Sequence, residues 1–374
     1  MSVRIATFNV ENLTRRFDFT SSNATHLDEG KGSAANGSFR NHLRKIKASQ
    51  IKSLTQDTMQ LTAKAIGDTL ADIVCLQEVD SIETLKAFER KYLRNMPASR
   101  YRNCYLIEGN DGRGIDVAVM TREKTADGDA IEVLGVKSHA EMTYGELDLP
   151  DDASLSLALD ELGMLPDERV FRRDCLEVTL TIGGKELTLF VAHLKSMGVY
   201  GSGLNGRLHT MPVRLAESLA IRNIIERKFN NESARNNWLV CGDLNDYRQR
   251  LTIGDEIEGA RNFSLIDEET SGFDPLISDG FSNNLVARRP ADDQWTLYYS
   301  RQPDIRHLVQ LDYILSSRRI SEANPVAIPD IIRNGQPFRI IFPPGQEVER
   351  YSRTGWNRPK ASDHCPVAVT LEIK

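Results

Sequence analysis

The sequence predicts a layered α/β or α+β architecture. Short apolar segments alternate with helical ones along most of the chain, and one pair of segments reads as an antiparallel hairpin. The 374 residues, 40% hydrophobic and 27% charged, are enough to bury a large core without disulfide or metal staples. This composition excludes disorder, a collagen repeat and a coiled coil. No run reaches the roughly 18 apolar residues of a membrane-spanning helix, and no signal-peptide pattern precedes the first strand, so the cytoplasm is the expected compartment.

Strands are expected at residues 5–10, 73–79, 117–121, 176–182, 187–194, 238–244, 311–316 and 367–373. In the clearest pair, Leu176, Val178, Leu180 and Ile182 alternate with Glu and Thr, Gly183-Gly184 makes the turn, and Leu187, Leu189 and Val191 resume the alternation. That hairpin rules out a purely parallel sheet. Helices are expected at 45–70, 82–94 and 213–229. Two stretches break the rhythm, giving expected loop insertions at about 14–44 and 138–168 in one elaborated domain spanning 1–374. Cys75, Cys104, Cys175, Cys241 and Cys365 form no C-x-x-C pair, which predicts buried free thiols.

The net charge of -6 is unevenly spread. Residues 141–168 hold nine acids and no Lys or Arg, whereas 15–52 carry eight Lys/Arg against three acids and 333–363 six against three. The acidic stretch is expected to act either as a lid that repels a phosphate backbone or as a docking site for a basic partner.

Polar groups sit where apolar strands end: Asn9 and Glu11, Gln77-Glu78, His193-Leu-Lys195, and Gly242-Asp-Leu-Asn-Asp246. Asp312 lies inside an apolar strand, and Ser362-Asp-His364 precedes the last one. Each has a bland reading: Asn9 and the pair Asp243/Asn245 as turn formers, His193 as a half-buried core histidine, Glu78 as a surface cap. Asp312 is the most suggestive, because a carboxylate in an apolar strand is costly to bury unpaired. Together these carboxylates, imidazoles and carboxamides are what metal-assisted phosphoryl chemistry requires, with oxygen ligands suited to Mg²⁺ or Mn²⁺.

The segments Thr7-Phe-Asn-Val-Glu-Asn12, Leu76-Gln-Glu-Val79, His193-Leu-Lys-Ser196, Gly242-Asp-Leu-Asn245, Leu311-Asp-Tyr-Ile-Leu315 and Ser362-Asp-His-Cys-Pro366 occur in the order that characterises the endonuclease/exonuclease/phosphatase superfamily. By this resemblance, which runs from residue 5 to 373, the chain is identified as a DNase I-like member. The resemblance implies a four-layered α/β sandwich, two mixed sheets packed face to face with helices outside. It makes Glu78 the principal metal ligand, with Asn9, Glu11 and Asp363 around the same Mg²⁺ or Mn²⁺. Asp243 would activate water, Asn245 hold the phosphate, His193 donate to a phosphate oxygen, and His364, paired with Asp312, act on the phosphate or leaving group.

The subfamily signal is mixed. His193-Leu-Lys195 is similar to DNase I, sphingomyelinases and inositol polyphosphate 5-phosphatases, whereas Gly242-Asp-Leu-Asn245 and Ser362-Asp-His-Cys-Pro366 look like the abasic-site endonucleases. Gly112-Arg-Gly-Ile-Asp-Val117 resembles a segment of bacterial members; Arg113 is either a phosphate contact or an exposed turn residue, and Asp116 a support for His193 or Arg113. Lys195 and Trp356 are further substrate-contact candidates, the latter within a stretch that interleaves arginines with aromatics as a nucleic-acid groove does. The expected function is metal-dependent hydrolysis of nucleic acid by in-line attack of an activated water. The alternative is a phosphatase or phosphodiesterase for a small molecule or lipid headgroup.

Overall fold

The computed structural model describes residues 1–13, 56–96, 99–149, 154–198, 205–257, 260–302 and 305–374. Four strands come first: β1 (Ser2–Leu13), β2 (Ile73–Val79), β3 (Asn103–Tyr105) and β4 (Asp116–Thr121). Next come β5 (Ile131–Ser138), β6 (Cys175–Ile182), β7 (Lys185–His193) and β8 (Trp238–Asp243). They are followed by β9 (Gln249–Ile257), β10 (Ala260–Asp267), β11 (Asn283–Asn284), β12 (Leu297–Gln302), β13 (Ile305–Val309) and β14 (Asp312–Ser316). The last are β15 (Asp330–Ile331) and β16 (Val367–Glu372). The helices used below are α1 (Gln56–Asp68), α2 (Ile82–Phe88), α3 (Ser154–Glu161) and α4 (Met211–Lys228).

Two six-stranded mixed sheets result, ordered β15-β16-β1-β2-β4-β3 and β11-β14-β8-β7-β6-β5. In each, one central pair is parallel, β1 with β2 and β7 with β8, and the flanking pairs are antiparallel. Strand periodicity explains the layering. The inward residues Val3, Ile5, Ile73 and Cys75 of one sheet meet Leu187, Leu189, Leu239, Cys241 and Ile314 of the other in a shared core. Their outward neighbours Ala6, Phe8, Val74 and Leu76 pack under Leu61 and Ile66 of α1, while Phe190, Trp238 and Val240 pack under Ala216, Ala220 and Ile224 of α4. Helix, sheet, sheet and helix make the four layers. Both faces of the central strands are covered, which is why they read as near-continuous apolar runs.

Differences from the sequence expectation have local causes. Of the expected helix 45–70, α1 is the part within the described residues; the basic stretch 15–52 and the insertion at 14–44 lie outside them. The segment 82–94 divides into α2 and a π-helical turn, Glu89–Leu93. The acidic stretch, read as a loop, contains α3: its leucines recur at every second residue, which hides a helix, and only Leu159 is buried. Met142, Tyr144, Val170 and Phe171 of the same region join the core beneath α4. The third sheet, β10-β9-β13-β12, was not expected at all. Its strands mix charged and apolar residues without strict alternation, as in Gln249-Arg-Leu-Thr-Ile-Gly-Asp-Glu-Ile257. All five cysteines are free thiols, four of them buried. No helix among the described residues is long and apolar enough to cross a membrane.

Candidate active site

The candidate residues gather where the core between the two large sheets runs out at one edge. Following the inward period of two, Val3 and Ile5 are succeeded by Thr7 and Asn9, Ile73 and Cys75 by Gln77, Leu189 and Val191 by His193, and Leu239 and Cys241 by Asp243. On the antiparallel β14 the same face places Asp312 two residues before Ile314. Register then sets His193 beside Asp243, and Asp243 beside Asp312, in one row across three strands. Gly242 makes the close approach possible, since a Cβ there would lie 1.9 Å from the carbonyl oxygen of Ala192.

Two irregularities aim the remaining groups. The β1–β2 register shifts between Asn9 and Leu13, where Glu11 and Asn12 have φ of 51° and 63°; β2 shifts against β4 around Glu78, whose φ is 66°. A bulge breaks the alternation and redirects a side chain, and non-glycine residues held at positive φ cluster at functional sites. Glu78 is thereby taken out of the strand's outward row.

Hydrogen bonds join the two halves. Asn9 Nδ2 donates to Asp243 Oδ2 (3.0 Å), and Asn9 Oδ1 accepts from the Glu11 N–H (3.1 Å). Asp243 Oδ1 accepts from the Asn245 N–H (2.9 Å), while Asn245 Nδ2 donates to the Leu194 carbonyl (3.0 Å). Nε2 of His193 and of His364 lie 3.5 Å and 3.7 Å from Asp243 Oδ2. His364 Nδ1 lies 2.9 Å from Asp312 Oδ2. The backbone around this pair is fixed by groups that sequence reading passed over: Thr296 Oγ1 accepts from the N–H of Leu311 and Asp312, Gln336 Nε2 donates to the His364 carbonyl, and Ser362 Oγ donates to the Asn9 carbonyl.

Burial and neighbouring charge set the protonation states. Burial alone would lower the His364 pKa, but Asp312 and Asp243 raise it well above the usual histidine value. His193 is driven the opposite way, first by burial and then by Arg173. Burial, with the Asp312 charge adding to it, pushes Asp243 up to about 7. Glu78 is raised by burial and by the charge of Asp363, whereas Asp363, despite its own burial, is held at about 2 by Lys360 and His364. Glu78 is half-buried, and no hydrogen-bond or ion-pair partner reaches its carboxylate among the described residues.

The family description "Endonuclease/Exonuclease/phosphatase family" matches residues 6–364. The chain belongs to the endonuclease/exonuclease/phosphatase family. Members of this family are generally phosphoester hydrolases. Similar solved structures include TDP2 from Caenorhabditis elegans, 13% identical with a TM-score of 0.52, covering 99% of this chain and 75% of that one. The human Nocturnin catalytic domain with bound sulfate anion is 13% identical with a TM-score of 0.50, covering 100% and 95%. At that identity the likeness shows the shared fold. A search of curated proteins finds no match.

Glu11 is bound by Arg358 Nη2 (2.6 Å) and Lys360 Nζ (2.9 Å), so its charge is met by two cations of the basic stretch. Asp116 accepts from the Gly109 N–H (2.8 Å), and Arg113 and Arg173 each reach Asp111 at 2.9 Å. Burial lifts Asp116 to about 6. Lys195 Nζ donates to the Ser196 carbonyl (2.9 Å). Trp356 lies on the surface, 73% exposed. Arg173, buried and donating to the Leu194 carbonyl (2.9 Å), was missed because nothing in its local sequence separates it from Arg172.

The donor chemistry fits a hard divalent cation. Glu78 is a carboxylate without a donor, Asp363 adds a second negative charge beside it, and Asn9 adds an amide oxygen. Among the described residues no group of three or more His, Cys, Asp or Glu encloses an ion. Water and phosphate oxygens would supply the other positions, as Mg²⁺ usually requires.

Proposed function

We propose that the protein is a divalent-metal-dependent phosphodiesterase that hydrolyses nucleic acid by in-line attack of water. The observation that carries this reading is the row His193–Asp243–Asp312 closed by His364, with Asn9 bonding Asp243 from the opposite sheet. Asp243, pushed up to about 7, is a base whose pKa suits taking a proton from water near neutrality. Asn9 and the Asn245 N–H fix its two oxygens. His364, kept protonated by Asp312, brings positive charge and a proton to a phosphate or leaving oxygen. His193, kept neutral, donates one hydrogen bond without adding charge. Glu78 and Asp363, with Asn9, would hold Mg²⁺ or Mn²⁺, which when bound polarises the phosphate and neutralises charge on the departing oxygen.

Nucleic acid is favoured by the surface beyond these residues. Phe338 is 52% exposed, and backbone hydrogen bonds from residues 338 and 339 to the carbonyls of Gly355 and Trp356 set Phe338 and Trp356 on adjoining segments of the arginine-rich stretch. Arginines for phosphates and aromatics for bases are the elements of a single-strand groove. The deciding experiment is turnover with Mg²⁺, Mn²⁺ or EDTA on supercoiled DNA, single-stranded DNA, RNA, an abasic-site duplex and bis-p-nitrophenyl phosphate. Metal-dependent cleavage of a nucleic acid, lost in Asp243→Asn, is expected. Activity on the small ester alone would instead make it a small-molecule phosphodiesterase.

A further inference from the structure

The candidate site borders on a pair of cations that its chemistry has not used. Of the six Lys and Arg in 333–363, four are engaged away from it. Arg333 pairs with Asp293, Arg339 donates to Ser300 Oγ, Arg350 to the carbonyls of Gln336 and Ile340, and Arg353 to Asp57 and Gln60. The other two, Arg358 and Lys360, converge on one carboxylate, that of Glu11.

Each cation takes one oxygen: Arg358 Nη2 lies 2.6 Å from Glu11 Oε1, and Lys360 Nζ lies 2.9 Å from Glu11 Oε2. Two positive charges on one negative leave a surplus, and Lys360 is buried. Their donors are also not all spent on Glu11. Arg358 Nη1, shielded from water, has no hydrogen-bond partner, and Glu11 Oε2 accepts no aligned hydrogen bond although the Lys360 ammonium stands beside it. A guanidinium N–H left unmet away from water is costly, so a tether for Glu11 alone does not account for this arrangement.

The pair lies beside the residues that would hold the metal. The Glu11 N–H donates to Asn9 Oδ1 (3.1 Å), and Ser362, next to Asp363, donates through Oγ to the Asn9 carbonyl (2.7 Å). Against the burial that would raise the Asp363 pKa, Lys360 leads the charges that hold it down, and Arg358 is among them. A guanidinium fork and an ammonium that close on two carboxylate oxygens can close equally on two oxygens of a phosphate. The phosphate that is cut would lie at the metal and the two histidines, so the one met here is its neighbour along the substrate.

We propose that Arg358 and Lys360 form a cradle for a second phosphate of the substrate, one nucleotide from the phosphate that is cut, and that Glu11 keeps the cradle filled until that phosphate displaces it. The inference rests on the phosphodiesterase reading above and narrows its substrate class to esters that carry phosphates on both sides of a nucleoside. An ester with a single phosphate leaves Glu11 in place and gains nothing from the two cations. The cradle reads charge and spacing along a backbone, so it is indifferent to base sequence.

The test compares the p-nitrophenyl ester of thymidine 5′-phosphate with and without a 3′-phosphate, and that of thymidine 3′-phosphate with and without a 5′-phosphate, on the full-length protein with Mg²⁺. In one of the two pairs the second phosphate is expected to raise kcat/KM by about tenfold in wild type. Arg358→Gln, or Lys360→Gln if the first variant fails to fold, should bring that ratio close to one. Glu11→Gln should raise it above wild type, because the occupant to be displaced is then neutral. A tethering role alone predicts one ratio in all the proteins, and that result, or a wild type for which neither pair differs, overturns the proposal. Calorimetry of thymidine 3′,5′-bisphosphate against the two monophosphates reads the cradle without turnover. A bisphosphate preference that is lost in Arg358→Gln, with none of the esters hydrolysed, would overturn the phosphodiesterase reading and leave the cradle standing.

Discussion

Asp243 and Asp312 are register partners on adjacent antiparallel strands, both buried, so two carboxylates are fixed side by side with His364 reaching both. Two like charges in one buried place are costly, and the imidazolium relieves the cost. Removing the ring should therefore disturb the carboxylates as well as the chemistry.

Asp312→Asn tests this pairing. Asp312 is the largest of the charges that raise the His364 pKa, ahead of Asp243, so the variant should hold the ring protonated only at lower pH. A group with a raised pKa keeps its proton until pH passes that value. The alkaline loss of turnover should move down towards the ordinary histidine range of about 6.5. A pH–kcat profile of the two proteins decides it, and superimposable alkaline limbs would remove Asp312 from this role.

Asp243→Asn should lower kcat by about two to four orders of magnitude with KM little altered, because the lost group acts on the proton of the attacking water. In wild type the base form grows as pH rises through about 7, so turnover should fall below that value. Raising the Mg²⁺ concentration should shift this limb to lower pH, since a nearby cation favours the carboxylate. Rates measured from pH 5 to 9 at several metal concentrations check both statements.

Stability has its own carboxylate. Burial works against ionised Glu177, but His139 Nε2 (2.9 Å) and Lys228 Nζ (2.8 Å) outweigh it and bring its pKa down to about 2 from a usual 4.5. A lowered carboxylate pKa stabilises the fold above the unfolded value, and the contribution is lost as pH falls from 4.5 towards 2. Glu177→Gln should cost about 1–2 kcal/mol at pH 7 and progressively less below pH 4.5. Urea unfolding at pH 7 and pH 3 measures the difference.

Gly242→Ala is expected to destabilise by about 3 kcal/mol or more, because its methyl would meet the Ala192 carbonyl at 1.9 Å between the strands carrying His193 and Asp243. Thermal unfolding should show a drop of several degrees. A melting temperature equal to wild type would mean that the strands separate freely, and the tight β7–β8 approach would then be dispensable.

The central strands were legible because both of their faces are buried, and the site because polar residues continue an apolar period where that burial ends. The turn-forming hydrogen bonds of these residues leave their other polar atoms facing one another across the candidate site. Asn9 accepts the Glu11 N–H with Oδ1 and bonds Asp243 through Nδ2; Asp243 accepts the Asn245 N–H with one oxygen and faces Asn9 and two histidines with the other. What stayed hidden depended on distance in sequence or on sidedness. Nothing local joins Asp111 to Arg173, or Arg207 and Arg214 to the buried Asp246 that follows Asn245. The third sheet was hidden because its strands show no consistent apolar face.

The order of strands in the first large sheet has a biosynthetic consequence. β16 lies between β15 and β1, although almost the whole second sheet separates them along the chain. A nascent chain translated as far as Ser316 would already hold Glu78, His193, Asp243 and Asp312 but neither His364 nor a neighbour for the outer edge of β1. It would expose an unpaired apolar edge of the kind that draws other chains into contact. β16 therefore seals that edge just after His364 joins Asp312, so that one folding step completes both the sheet and the candidate site.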